Sequence, residues 1–218
     1  MIGENIMRIP MIFIIIVILA FLFRHNVARV SKRDAEREEA FWERETKANN
    51  VRKKPLDDLH YITIPINSLP FFLGIDEKLE NFQEEIKKLQ AEPIVNLSGI
   101  TNTDLKLKYG AANLPILTKY DQNFIILART LYQWGTRLHE LSYDKEAIQV
   151  LEFGISCKTD IRGHYILLGK LYLENQNYDK VDAIIQTASE LNTLMKDPIV
   201  KELRQMKAAT LSYHSVIE

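Results

Sequence analysis

The feature of this sequence that most constrains its fold is a self-match at an interval of 34 residues. Trp134-Gly135, followed by Leu138, returns as Leu168-Gly169, followed by Tyr172. Further pairs at the same offset are Leu131 with Tyr165, Ala147 with Val181, Leu151 with Ile185, and Gly154 with Ala188. Such a period, with small residues set between large ones, is typical of helix–turn–helix repeats. The chain is therefore predicted to be all-α and built around two helical hairpins, 128–161 and 162–195.

The pattern resembles the tetratricopeptide repeat (TPR), in which an aromatic residue, a Leu-Gly pair and a second aromatic precede a helix of alternating small and large residues. The resemblance covers residues 128–195. It implies a fragment of a TPR-like α-solenoid that binds a protein or peptide in the groove formed by the first helices of the repeats. The residues at the groove-facing positions are Arg129, Tyr132, Thr136, His139, Gly163, Ile166, Lys170 and Leu173. Among them, Arg129, His139 and Lys170 are suited to an acidic or C-terminal peptide.

One part of the repeat departs from this spacing. The triplet Tyr143-Asp144-Lys145 recurs as Tyr178-Asp179-Lys180 at an offset of 35 rather than 34. The slip predicts that the turn of the first hairpin lies one residue away from the family position.

Additional helices are expected on both sides of the hairpins, within a helical domain spanning 76–218. Leu79, Phe82, Ile86 and Leu89 lie on one face of a helix over 76–91, which is expected to supply a third layer. Asp197-Pro198 predicts a capping helix over 198–212. The aspartates expected to cap helix N-termini are Asp76, Asp121, Asp160, Asp179 and Asp197.

The N-terminus carries a strongly apolar run. Ile9–Phe23 contains no charged residue and is bounded by Arg8 and Arg24. With both arginines reaching toward the interface, 6–24 approaches the roughly 20 residues that cross a bilayer. A buried core helix and a cleaved signal peptide are the alternatives. The run is apolar on every face, and no small-x-small cleavage site follows it, so an uncleaved transmembrane anchor is favoured.

The flanking charges predict the orientation of this anchor. Four basic residues follow it before the first acid: Arg24, Arg29, Lys32 and Arg33. Positive residues prefer the cytoplasmic face, so the helical domain is expected on the cytoplasmic side of the membrane.

Two segments connect the anchor to the helical domain. Residues 25–50 are rich in charged helix formers and predict a helical stalk, whose Phe41 and Trp42 either dock on the domain or lie at the lipid interface. Residues 51–75 contain three prolines and predict an extended arm. This arm is apolar enough to pack on the helical domain, or alternatively to occupy the repeat groove.

Several functional classes have no support in the sequence. A net charge of −1, with 26% charged residues, lacks the basic excess of a nucleic-acid-binding chain. Cys157 is the single cysteine and is expected to be a buried hydrophobe. Phosphate-binding loops, nucleophile elbows and paired metal-ligand histidines are not found, so no catalytic, cofactor or metal residues are predicted.

The expected function is therefore a membrane-anchored adaptor that binds a protein partner without catalysis. The alternative is a small structural subunit of a larger membrane complex, held there by its anchor and by Phe71 and Phe72 of the arm. An unrecognised hydrolase is the least favoured hypothesis.

Overall fold

The computed structural model describes residues 3–71 and 76–217. Within the first helix and at the C-terminus, the side chains of 3–18, 20, 25–28, 31 and 213–217 are outside this description. Phe72 of the predicted arm also lies outside the described residues.

The described chain is all-α, as the sequence predicts. No strand is formed in this part of the chain, and one isolated bridge joins Tyr61 to Val95. The helices are α1 (Gly3–Asn49), α2 (Glu77–Leu89), α3 (Asn102–Tyr109), α4 (Leu114–Glu140), α5 (Asp144–Ser156), α6 (Arg162–Glu174), α7 (Tyr178–Ser189) and α8 (Lys196–Ile217). Short 3₁₀ turns occupy Ile66–Ser68 and Ala111–Asn113.

Helices α2 to α8, apart from the short α3, stack in two layers. Successive contacts join α2 to α4, α4 to α6 and α6 to α8, so these four helices form one layer. Helices α5 and α7 form the second layer, with α5 between α4 and α6 and α7 between α6 and α8. Every residue that matches at the 34-residue interval is buried in this stack. The repeated positions therefore form the core.

Helix α1 is continuous over 47 residues and joins the predicted anchor and stalk without a break. In the described part of the chain, no helix combines the length and the apolar character needed to cross a membrane. Because most side chains of the 6–24 segment are outside the description, the anchor stays a prediction. The stalk side chains Phe41 and Trp42 are exposed, so they do not dock on the helical domain.

The C-terminal end of α1 is fastened to α3 by a polar clasp. Arg44 pairs with Asp104 at 2.5 Å, and Glu45 accepts hydrogen bonds from Lys106 and from the Thr103 hydroxyl. Ala48 is fully buried at the same contact. The stalk is therefore attached to the domain through a defined interface.

The chain leaving α1 is bound to the α3–α4 connection. The Lys54 amide donates to the Tyr109 carbonyl at 2.9 Å, and the Asn113 side chain donates to the carbonyls of Lys54 and Tyr109. Gly110 lies at this crossing with φ +90°, in backbone contact with Arg52. These bonds fix the path of the chain between stalk and stack.

The predicted arm packs on the stack. Ile64 and Leu69 are buried in the main core, and the Phe71 ring lies 5.1 Å from the Trp134 ring, measured between centroids. The residues of the arm described here do not line the groove of α4, α6 and α8, which argues against its occupying that groove. Because Phe71 is used within the chain, its assignment to assembly in the structural-subunit hypothesis loses support.

The helix starts follow the sequence at one aspartate and depart from it at another. Asp76 caps α2, as predicted, by accepting a hydrogen bond from the Leu79 amide at 3.1 Å. The prediction that Asp121 caps α4 is wrong, because Pro115 stands in the first turn and the helix begins at Leu114. The Asp121 carboxylate instead accepts a hydrogen bond from the Leu97 amide at 3.1 Å.

The remaining three aspartates are also not capping residues. Asp160 precedes α6, whose N-cap position is Ile161, while Asp179 and Asp197 lie inside the first turns of α7 and α8. A negative charge in the first turn is still favourable through the helix dipole, so the local signal was placed one or two residues away from the true start.

The turns of the two hairpins have the same length. Three residues separate α4 from α5, and three separate α6 from α7. Their central residues, Ser142 and Gln176, have φ of 65° and 56° and stand 34 residues apart. The predicted one-residue displacement of the first turn is therefore wrong. Only the side chains slip, since Tyr143 precedes α5 whereas Tyr178 is the first residue of α7.

Candidate functional site

A groove of about 430 Å³ lies across the layer formed by α4, α6 and α8. Tyr132 and Thr136 of α4 lie on one side, and Gly163, Ile166 and Lys170 of α6 lie on the other. These five are among the groove-facing residues predicted from the repeat pattern. The structure therefore brings together residues that are up to 38 positions apart in the sequence.

The floor of the groove is set by a close approach of α6 to the Tyr132 ring. A Cβ atom placed on Gly163 would lie 2.3 Å from this ring, so only glycine leaves the phenol where it is. The same ring lies 5.6 Å from the His164 ring, measured between centroids. Thr136 donates its hydroxyl hydrogen to the Tyr132 carbonyl at 2.8 Å. The shape of the groove is thus tied to the α4–α6 contact.

Behind the floor, His164 is fully buried. Its Nε2 lies 2.8 Å from the Ala128 carbonyl oxygen, which only accepts, so Nε2 carries the proton. Its Nδ1 is buried and has no hydrogen-bond partner among the described residues. Burial lowers the pKa of His164 to about 4, and the hydrogen bond to Ala128 opposes this shift. At neutral pH the imidazole is uncharged and links α6 to α4.

The groove continues into two shallower concavities. Toward α2, Lys78 and Phe82 face Tyr132 and Thr136 across a depression of about 210 Å³. Toward the end of the stack, Arg162 and Glu202 border a second depression, which reaches Lys201. Because each depression shares residues with the central groove, the three form one surface from α2 to α8. We call this surface the groove face.

The groove face carries more positive than negative charge. Its cations are Lys78, Arg137, Arg162, Lys170 and Lys201, and its anions are Glu140 and Glu202. The chain as a whole has a net charge of −1, so positive charge is concentrated on this face. An apolar floor with cations along its edges suits an acidic segment that also presents an apolar side chain.

Some of these cations already have partners. Arg162 donates to Glu202 at 2.5 Å, and Arg137 donates to Asp76 at 2.6 Å. The hydrogen bond from Arg137 lowers the pKa of Asp76 to about 2, so this carboxylate is ionised at any physiological pH. Among the described residues, Lys78 and Lys201 have no ion-pair partner within 4 Å. They are the cations most available to a ligand.

Three predicted site residues lie elsewhere. Arg129 is exposed on α4 but does not line the groove. His139 lies at its edge, where it contacts Asp144 at 2.6 Å and Lys170 at 3.5 Å. Leu173 is only 6% exposed and belongs to the core, so its assignment to the groove is wrong. It is in the last turn of α6, where the hairpin turns this leucine toward the core that its apolar side chain favours.

Sequence reasoning missed the contribution of α8. Glu202 and Met206 line the groove, and Arg162 reaches it from the first turn of α6. The available signal was the spacing of Arg162 and Ile166, which stand four apart and share a helix face. For Glu202 and Met206, the sequence showed only a capping helix, and their position follows from how α8 packs on α6.

The other chemically distinctive groups do not form a reactive site. Burial raises the pKa of the Cys157 thiol to about 12, so it is protonated and unreactive. In the part of the chain that the structure describes, no three His, Cys, Asp or Glu side chains are grouped to hold a metal ion. A concavity of about 540 Å³ beside Cys157 also touches Lys158, Glu190 and Asn192, in the loops that follow α5 and α7.

The groove face is therefore the best-defined candidate site, and its relation to TPR proteins depends on the sequence pattern. Comparisons with protein-family models, curated proteins and solved structures found no match to this chain.

Proposed function

We propose that this protein is a membrane-anchored adaptor that binds a partner protein on its groove face and has no catalytic role of its own. The observation that carries the proposal is the convergence of Tyr132, Thr136, Gly163, Ile166 and Lys170 on one groove. These residues were selected by repeat position alone, before any contact between helices was considered. A TPR-like arrangement of the two hairpins accounts for their meeting.

The equal turns of the two hairpins also support a repeat. Ser142 and Gln176 share a positive φ, and the Tyr143 and Asn177 amides donate to the Leu138 and Tyr172 carbonyls at 2.9 and 2.8 Å. Each of these positions is related to its counterpart by 34 residues. A repeated backbone of this kind presents successive first helices side by side, which is how helical repeats build binding surfaces.

The proposed partner is a protein segment with acidic and apolar side chains. The apolar floor of Tyr132 and Ile166 would take the apolar side chain, and Lys170 with the unpaired Lys78 and Lys201 would attract carboxylates. In the proposed orientation, the anchor holds this face on the cytoplasmic side of the membrane. Tethering would raise the effective concentration of the groove for partners at the same membrane.

Photo-crosslinking in the native membrane tests this proposal. A photoreactive residue at position 166 should crosslink a discrete partner, whereas one at Ala183, exposed on α7, should not. The variant Gly163→Ala should weaken the crosslink about tenfold, corresponding to about 1.4 kcal/mol of binding, because its Cβ moves the Tyr132 ring.

The end of the Tyr132 side chain can move, so Gly163→Ala is expected to keep its fold, and a thermal melt close to that of the wild type checks this. Identical crosslinking partners at positions 166 and 183 would exclude the groove as the binding surface. A crosslink unaffected by Gly163→Ala, in a folded protein, would contradict the role of the groove floor.

A further inference from the structure

The stalk carries a second apolar surface that the groove does not explain. Phe41 and Trp42 are 54% and 58% exposed on α1, with their ring centroids 5.3 Å apart in an edge-to-face arrangement. Exposure of two adjacent aromatic side chains is unfavourable for an isolated chain and typical of interaction sites. We call Phe41, Trp42 and the neighbouring carboxylates of Glu38, Glu39 and Glu43 the stalk patch.

The stalk patch is acidic. From Asp34 to Glu45 the sequence contains six acidic residues and two basic ones, Arg37 and Arg44, which gives this stretch a net charge of −4. Its other acids have partners: Asp34 pairs with Arg37, Glu36 with Lys32, and Glu45 with Lys106.

Glu38, Glu39 and Glu43 are exposed and have no ion-pair partner among the described residues. Glu38 lies one helical turn before both rings, three residues from Phe41 and four from Trp42, and Glu39 lies three residues from Trp42. Unpaired carboxylates therefore surround the aromatic rings.

A lipid surface does not fit this patch. If the apolar run ends at Phe23, Phe41 lies 18 residues further along an unbroken helix, about 27 Å beyond the hydrocarbon. The headgroup region is only about 5–8 Å thick on each side, and a helix tilt of 40° would still leave the ring about 20 Å away. The excess of carboxylates would also be repelled by anionic headgroups.

A second copy of the chain is equally unsuitable. Two stalks meeting through Phe41 and Trp42 would bring a net −4 against a net −4, with three unpaired carboxylates on each side. Like charges facing each other across an interface oppose association. The occupant must instead be positively charged.

We propose that the stalk patch docks a basic segment of a second protein, one that presents Lys or Arg together with apolar side chains. The cations would pair with Glu38, Glu39 and Glu43 and lie over the Trp42 ring, while apolar side chains cover Phe41. Segments of this composition are common just inside the cytoplasmic membrane face, where Lys and Arg are enriched. The stalk patch is thus a binding site for cations, opposite in charge to the groove face.

The two tryptophans allow a direct test, because Trp134 is fully buried and acrylamide quenching therefore reports on Trp42. The full chain is placed singly in nanodiscs of zwitterionic phosphatidylcholine. The probe is an 18-residue helical peptide with leucines on one face and lysines on the other, and its analogue replaces the lysines with glutamates. The lysine peptide should bind and protect Trp42 from quenching, and the glutamate analogue should do neither.

Charge reversal distinguishes the stalk patch from a general charge effect. Glu38→Lys, Glu39→Lys and Glu43→Lys together should weaken binding of the lysine peptide at least about tenfold. Reversal of three exposed acids elsewhere, Asp57→Lys, Glu84→Lys and Glu190→Lys, changes the net charge equally and should leave the affinity within about twofold.

Three results would overturn the proposal. The first is equal loss of affinity in the two triple variants. The second is protection of Trp42 by nanodisc lipid without peptide, which would assign the stalk patch to the membrane. The third is protection of Trp42 in discs with two copies but not in discs with one, which would assign it to self-association. None of these results depends on the groove, so they leave the adaptor proposal to its own test.

Discussion

Replacing Gly110 with alanine is expected to lower the free energy of unfolding by more than about 3 kcal/mol. Gly110 has φ +90° and ψ 144°, a conformation that L-residues rarely adopt. An added Cβ would also lie 2.2 Å from the Arg52 carbonyl oxygen and 2.8 Å from Lys53 Cα, both backbone atoms. The contact is relieved only if the segment after the stalk moves away from α3 and α4.

Urea denaturation of the full chain in neutral micelles, followed by circular dichroism, measures this loss. Gly169→Ala is the matched control, since its Cβ would meet the end of the flexible Leu203 side chain at 2.6 Å. Gly169 is in a regular helix, where alanine is favoured over glycine by about 1 kcal/mol, which offsets part of the repacking. A loss for Gly110→Ala no larger than for Gly169→Ala would contradict the proposed crossing.

Acid is expected to destabilise the fold by up to about 3 kcal/mol through His164 alone. Its ordinary pKa is 6.5, and burial lowers it to about 4 in the fold. Between these values the unfolded chain binds a proton that the folded chain excludes. The free energy of unfolding therefore falls as the pH falls from about 6.5 toward 4, and the full contribution of the neutral ring is present only above this window.

The variant His164→Gln isolates this effect, because a glutamine amide donates a hydrogen bond to the Ala128 carbonyl but does not titrate. Urea denaturation at pH 7, 5.5 and 4 should show a shallower decline for His164→Gln than for the wild type. His60 is exposed, so His60→Gln should retain the wild-type decline. Parallel declines in wild type and His164→Gln would show that the buried imidazole does not control acid stability.

The parts of the fold that the sequence predicts correctly are those determined by local spacing. Leu79, Ile86 and Leu89 are buried because residues three and four apart share a helix face. Tyr132, Ile166 and Lys170 line the groove for a related reason, since equivalent positions in adjacent repeats face the same way. Neither conclusion required knowledge of how distant helices pack.

The residues that sequence reasoning misplaced depend on distant contacts. Arg162 and Glu202 are 40 positions apart and meet only because α8 packs on α6. Asp121 resembles a capping residue locally, but its carboxylate is used by the Leu97 amide, 24 positions earlier. The recurring Tyr-Asp-Lys triplet predicted a shifted turn because letters were compared instead of backbone positions. Such competition between a local pattern and a tertiary contact is decided by packing.

The unbroken helix α1, clasped to α3 through Glu45 and Lys106, couples the length of the stalk to the direction in which the groove points. Each residue added to or removed from an α-helix rotates everything beyond it by about 100° and shifts it by about 1.5 Å. Deleting one stalk residue would therefore hardly change the height of the domain, yet would swing the groove more than a quarter turn around the helix axis. With respect to an anchor in the membrane, the number of stalk residues acts as a compass setting for the binding surface.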